Sequence, residues 1–273
     1  MAIITISREL AALGDEIAAE LLKRHNYHFV DKKLIDKRLN SYGISSQKIE
    51  KYDEKKPSFF ASLSRDRDEY LHYLKQAILA EAESGDCIFI ERGASAIFTN
   101  TPGLIPIFLT SSMDVRTERV KSYFHCDEKA ALKIITASDQ NRSGFYKYFF
   151  DVDCKDPRNY LLTLNTSHIT PQTCATVIEE IIKGTVTSEA NEHLKKRIKE
   201  MNLAISVIHH VLYEKRIAIN FLEASVQNND VTLFGVASSA TIADAGVSAA
   251  KEVPSIQSVQ SEIQVVHEYS VMP

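Results

Sequence analysis

No apolar run in the 273-residue chain approaches the roughly 20 residues needed to span a bilayer, so no transmembrane segment is expected. A basic excess is missing too. The formal charge of -4 and a pI near 6.2 give no global positive field for nucleic acid or anionic lipid, and no nucleic-acid partner is expected. Cysteine is sparse: Cys87, Cys126, Cys154 and Cys174 are scattered, with no spacing that suits a zinc knuckle or a redox pair. They read as reduced thiols of an intracellular protein. The N-terminus shows no basic stretch leading into a short apolar segment, and the expected address is the cytoplasm. What remains is 44% hydrophobic and 25% charged residues, an ordinary globular balance. The length suits two domains of roughly 100 to 200 residues each.

Residues 1–184 alternate short apolar runs with helical patterns. Strands are expected at 2–6, 27–30, 87–90, 105–109 and 160–165. Helices are expected at 15–24, 32–39, 70–83, 114–123, 127–141 and 171–183. Residues 41–68 are polar and irregular, with Pro57 as a breaker. Strand and helix in alternation predict an α/β domain, a parallel sheet covered on both faces. A polar stretch at 185–193 reads as a linker. Beyond it, over 194–273, the order changes to helix, strand, strand, helix, strand. The two adjoining strands meet at Asn228-Asn229-Asp230, a tight turn. That αββαβ order predicts a second, small α+β domain.

The chemistry concentrates at Ser7-Arg8-Glu9-Leu10-Ala11-Ala12-Leu13-Gly14-Asp15-Glu16, which joins the first strand to the first helix. A phosphate-cradling loop belongs there, because backbone N–H groups and a helix N-terminus can converge on an anion. Glycines let such a loop curl closely, and a lysine answers the phosphate charge. Here Gly14 is the one glycine, and Asp15 stands where the lysine is expected.

The segment resembles the cytidylate kinase-like branch of the nucleoside monophosphate kinases, whose loop reads Ser-Arg-Glu-x-Gly-Ser-Gly-Gly-(Arg/Lys)-x-Ile-Ala. Ser7, Arg8, Glu9, Gly14, Ile17 and Ala18 match; Ala11, Ala12, Leu13 and Asp15 depart. Further segments are similar to that family in order. They are Tyr27 to Ile35; Gly85 to Ala94, with Glu91 in place of a glycine; Asp114 to Val120; Asp139 to Arg142 with Tyr146 and Tyr148; and Tyr160 to Ser167. The resemblance covers about residues 1–183. It implies a P-loop kinase-like fold and ATP-dependent phosphate transfer to a nucleoside monophosphate, with Mg²⁺. By the same resemblance, Arg116, Arg119 and Arg142 would be the catalytic arginines converging on the phosphoryl group. Asp31 and Arg92 would serve the acceptor, and Arg8, Ala11, Ala12, Leu13, Gly14, Asp15 and Glu16 would form the phosphate loop. Arg8 could partly replace the missing cation.

The departures weigh against turnover. Two unit charges 4 Å apart interact by about 4 kcal/mol at an effective dielectric near 20, so a carboxylate at position 15 repels what a lysine would hold. Alanine and leucine add a cost wherever the loop needs positive φ, and Leu13 is expected to fill space that phosphate oxygens would take.

Residues 194–267 resemble a BON domain, a small module associated with binding lipid, ligand or partner surfaces. Val231-Thr232-Leu233-Phe234-Gly235-Val236 and Ala249 to Val259 carry that likeness, with Ser255 in place of the usual glycine. Gly235 is expected to allow a close approach of strand to helix. His209 and His210 point in different directions on a helix, so no metal site is expected.

Three functions follow as expectations. The first is a regulatory or ligand-binding module with a degenerate phosphate loop, taking a nucleotide or another phosphorylated small molecule. The second is an active cytidylate kinase using ATP and Mg²⁺. The third is a structural or assembly protein. A protein or lipid partner of the BON-like domain and self-association complete the expected partners.

Overall fold

The computed structural model describes residues 1–52 and 65–266. The chain divides into two compact units, Met1–Lys195 and Lys196–Pro273.

The first unit is built on a five-stranded sheet. Its strands are β1 (Ile3–Arg8), β2 (His28–Val30), β3 (Cys87–Ile90), β4 (Leu104–Thr110) and β5 (Leu162–Asn165). They lie in the order β2-β3-β1-β4-β5, every pair parallel. Parallel central strands are buried on both faces and so read as continuous apolar runs. Ile3, Ile4 and Ile6 are fully buried, as are Cys87, Ile88, Ile105, Ile107 and Leu109. Ile17, Ala18 and Leu21 of α1 (Gly14–Arg24) and Cys174, Ala175 and Ile178 of α8 (Pro171–Thr185) pack onto these strands in one core cluster. Between these helices come α2 (Lys32–Ser41), α3 (Ser46–Lys51), α4 (Arg65–Ala82), α5 (Ala94–Ile97), α6 (Met113–Phe124) and α7 (Glu128–Phe150). Side-chain acceptors start several of them, as Asp127 does by taking the Ala130 N–H at 2.8 Å.

Several boundaries differ from the sequence expectation. α7 continues past residue 141 to Phe150, because Phe145, Tyr146 and Phe149 bury their rings and prolong the helical face. Residues 188–193 of the polar stretch read as a linker are the opening turns of α9 (Ser188–His209). The irregular excursion expected at 41–68 contains α3 and the start of α4; its part at 53–64 lies outside the described residues.

Glu81 of α4 is buried, yet it ties two other elements together. It accepts from His28 of β2 at 2.6 Å and from Arg38 of α2. Burial pushes its carboxyl upward, but the bonds from Arg38 and His28 outweigh that and hold it below the ordinary carboxylate value of 4.5. A carboxylate with a lowered folded pKa stabilises above its unfolded pKa, and that contribution is lost as pH falls through the folded one. Urea unfolding should therefore show the stability gap between wild type and Glu81→Gln closing as pH is taken from 7 to about 3. A gap that is constant across that range would disprove the assignment.

The second unit begins on α9, whose last turn widens to a π-type turn at His210–Glu214. It continues with β6 (Asn220–Gln227), β7 (Asp230–Ala237), α10 (Ala240–Glu252) and β8 (Ser258–Val265). The αββαβ order matches the sequence expectation. β6 and β7 pair antiparallel, while β7 and β8 are parallel across the α10 crossover. Asn228 and Asn229 both take positive φ, 52° and 70°, the backbone of a two-residue hairpin turn that asparagine tolerates.

Ile219 sits where a Cβ on Gly235 or Gly246 would fall; its Cγ2 lies 2.8 Å from the first and its Cδ1 2.5 Å from the second. The absence of both side chains lets the strand and α10 close over one isoleucine. Gly246→Val should lower the stability of this unit by about 2 kcal/mol through overpacking, read as a fall in its thermal midpoint. Adding Ile219→Ala should return part of that loss; a double variant no better than the single one would contradict the packing.

Candidate functional site

β1 is the central strand, flanked by β3 and β4, so the chain leaving Arg8, Ile90 and Thr110 converges at one end of the sheet. Ligands of open α/β sheets bind outside the carboxyl ends of such strands. The loop from Glu9 to Leu13 has two turns in the left-handed region, at Ala11 (φ 61°) and Leu13 (φ 62°). Leu13 directly precedes the first residue of α1. Left-handed backbone costs an alanine or leucine roughly 1 kcal/mol or more. The loop therefore holds a shape that glycine would adopt freely.

Leu13 is half-buried and packs against the main core cluster. Arg8 covers the loop beside it. Its side chain lies where a Cβ on Gly14 would fall, and its Nη1 pairs with Asp15 Oδ2 at 2.7 Å. Asp15 is solvent-exposed, and so is Glu16, its neighbour in the first turn of α1. Behind Arg8 lies Glu91, from the turn after β3. Its Oε1 accepts the Arg8 N–H at 3.2 Å and stands 3.1 Å from Nε of Arg142. Glu91 is buried and takes φ 63°, again left-handed. Arg142 also donates to Ser138 Oγ at 2.8 Å within α7.

A second cluster adjoins the first. Arg116 of α6, buried, places Nη1 and Nη2 each 2.8 Å from Asp139 Oδ2. Asp139 Oδ1 accepts the Leu10 N–H at 3.2 Å, so this pair also holds the loop. Glu9 accepts from Thr110 Oγ1 at 2.6 Å and Lys155 Nζ at 3.1 Å, with Arg116 Nη1 3.5 Å away. Burial raises the Glu9 pKa, but these donors and the Arg116 charge win and leave it lowered. Arg119 clamps the loop to the segment after β5, donating to the Ala11 carbonyl at 2.9 Å and the Thr166 carbonyl at 2.7 Å.

The structure thus brings Arg8, Arg116, Arg119 and Arg142 around the loop, each engaged with acceptors of this chain. The acceptor-side residues bond to other parts of the chain. Asp31 caps α2, accepting the Leu34 N–H at 2.9 Å. Arg92 is buried and reaches Asp36 Oδ1 at 2.7 Å and Tyr70 Oη at 3.5 Å. Sequence reasoning gave no role to Glu9, Lys155 or Asp139, although the run Ser7-Arg8-Glu9 already placed a carboxylate beside the loop. It also missed the hydroxyl triangle of Ser7, Ser95 and Tyr146, with oxygens 3.0 to 3.3 Å apart. Burial pushes the Tyr146 hydroxyl well above its ordinary pKa, so it stays neutral. Among the described residues, no group of three His, Cys, Asp or Glu side chains is placed to hold a metal ion.

A parallel five-stranded α/β sheet with its loop and helix N-terminus at the carboxyl end of the central strand is consistent with the phosphate-loop kinase fold. Within that class the chain belongs to the cytidylate kinase-like family, whose model matches residues 3–168. A curated relative, the cytidylate kinase of Sulfolobus acidocaldarius, is 28% identical over 112 residues, which make up 41% of this chain. The match spans 61% of that relative's length. An uncharacterized protein from Eubacterium ventriosum shares the fold with TM-score 0.53 and 21% identity, over 67% of this chain and 99% of its own. A shikimate kinase from Bacteroides thetaiotaomicron aligns over 67% of this chain and 98% of its own, at 13% identity and TM-score 0.40. No helix among the described residues is long and apolar enough to cross a membrane.

Proposed function

We propose that the N-terminal unit is a ligand-binding member of its family that takes a nucleotide or another phosphorylated small molecule with little or no phosphoryl transfer. One observation carries this reading. Ala11, Leu13 and Glu91 stand where the family pattern has glycine, and all three keep left-handed backbone, while Arg8, Arg142, Arg116 and Lys155 are matched by Asp15, Glu91, Asp139 and Glu9. The shape suits an anion, and the charge is internally satisfied.

ATP is the natural candidate, with Arg8 as the cation that would meet its phosphates. Mg²⁺, bound chiefly through phosphate oxygens and water, would supply charge neutralisation that this chain's own carboxylates partly oppose. The second unit is read as BON-like, a binding module coupled to the first and facing a protein or lipid partner. Its αββαβ order supports this, and so does Ser255, which takes φ 75° where the BON pattern has glycine. The expected setting is the cytoplasm.

The competing function is a working cytidylate kinase, favoured by the arginines gathered around the loop. Calorimetry with ATP, ADP and CMP, with and without Mg²⁺, together with a coupled turnover assay, separates the two. Nucleotide binding with turnover far below the kinase range of about 1 to 100 s⁻¹ is expected. Turnover within that range would establish the enzyme, and no binding at millimolar nucleotide would leave an assembly role.

A further inference from the structure

We propose that the outer edge of β8 pairs antiparallel with the same edge of a second copy of this chain, joining two three-stranded sheets into one of six strands. The inference is independent of what the phosphate loop binds.

A sheet edge presents unpaired N–H and C=O groups, and proteins blunt such edges by brevity, bulges, lysine or proline. Among the described residues, three of the four sheet edges are blunted. β2 is three residues long and β5 four. β6 carries a register irregularity between Asn220 and Glu223, with Phe221 at φ 52° inside it. β8 has none of these devices. It runs eight residues in unbroken register with β7, from Asp230↔Ser258 to Ala237↔Val265. Its sequence, Ser-Val-Gln-Ser-Glu-Ile-Gln-Val, holds no lysine and no proline, and Glu262 is its one charge. Among the described residues no strand occupies its far side.

The order of side chains selects the occupant. Val259 and Ile263 point into the core of the second unit, so Gln260, Glu262 and Gln264 share the opposite face. A two-fold axis perpendicular to the sheet through Ser261 keeps both faces in place. It sets Val259 opposite Ile263 of the other copy, extending the apolar face, and Gln260 opposite Glu262, an amide facing a carboxylate. The neighbouring axis through Glu262 would put two carboxylates opposite each other, which is destabilising. The register centred on Ser261 is therefore complementary to itself.

Sedimentation velocity of the full chain at micromolar to tens of micromolar concentration should show a dimer. Ser261→Lys places like charges across the axis and should weaken the dimer at least about fivefold, with a thermal midpoint matching wild type at concentrations low enough that both are monomeric. Ser225→Lys on β6 should leave it intact. The Ser261→Cys variant, oxidised with glutathione disulfide, should give by mass spectrometry a disulfide-linked peptide joining position 261 of one copy to position 261 of the other. Cα atoms facing across antiparallel strands lie about 4.5 to 5.5 Å apart, within disulfide reach. If Ser261→Lys fails to fold, the crosslink decides. A monomer throughout the range, a dimer indifferent to Ser261→Lys, equal weakening by Ser225→Lys, or absence of the crosslinked peptide would each overturn the proposal.

Discussion

Replacing Asp15 with lysine should tighten binding of ATP by about thirtyfold at low salt. The change removes one negative charge and adds one positive charge beside the loop. Asp15 is well exposed, so each unit of charge counts near the aqueous limit, about 1 kcal/mol at 4 Å. Two units give roughly 2 kcal/mol, or about thirtyfold. The variant also frees Arg8, whose Nη1 now lies 2.7 Å from the Asp15 carboxylate. Asp15→Asn should give an intermediate gain of a few-fold, because it removes the repulsion without adding a cation. Both gains should shrink as ionic strength rises toward 1 M, where screening acts over about 3 Å. Calorimetric titration across a salt series checks this. An affinity indifferent to the residue at 15 would mean that the anion, if it binds, sits away from the N-terminus of α1.

Glu91→Ala should cost about 3 kcal/mol of stability. Its carboxylate is buried between the Arg8 N–H and the Arg142 guanidinium, and removing one partner of a buried pair is strongly destabilising, about 3 to 5 kcal/mol. The lower figure applies because Arg142 keeps its bond to Ser138. Glu91→Gln, which retains an acceptor, should lose less. The distinguishing case is Glu91→Gly. At φ 63° glycine is unstrained where alanine is not, so the glycine variant should be more stable than the alanine one by about 1 kcal/mol. That inverts the order found in ordinary helix or strand positions. Urea midpoints for the three variants provide the measurement, and an alanine variant as stable as the glycine one would refute the backbone assignment. The glycine variant should also bind anions more tightly, since Arg8 and Arg142 lose the counter-charge that Glu91 supplies.

Much of this architecture was legible because it is local. The apolar runs at 87–90 and 105–109 gave buried parallel strands, and the change of element order after 184 gave a second unit with its Asn-Asn hairpin. The boundaries went astray where tertiary packing governed. α7 ran on to Phe150 because its aromatic rings found a core, which no periodicity over 127–141 announces. The extent of β8 was set by its neighbour, because β7 offered eight partners in register.

The site divided along the same line. Residue identity alone revealed the missing lysine, the lone glycine of the loop and the carboxylate at 15, since those are statements about what atoms exist. It could not reveal that Arg8 folds back over Gly14, that Glu91 anchors Arg142, or that Arg119 spends its guanidinium on two backbone carbonyls. These contacts join residues as many as 108 positions apart, and a chain pairs its charges only once the sheet has set which ends meet. The sequence by itself determined that this loop carries one glycine, Gly14, and an aspartate at position 15 where the family pattern has a basic residue. Only the tertiary structure decided that Ala11, Leu13 and Glu91 would still take left-handed turns, because the surrounding strands, caps and ion pairs outweigh the roughly 1 kcal/mol or more that each such residue costs.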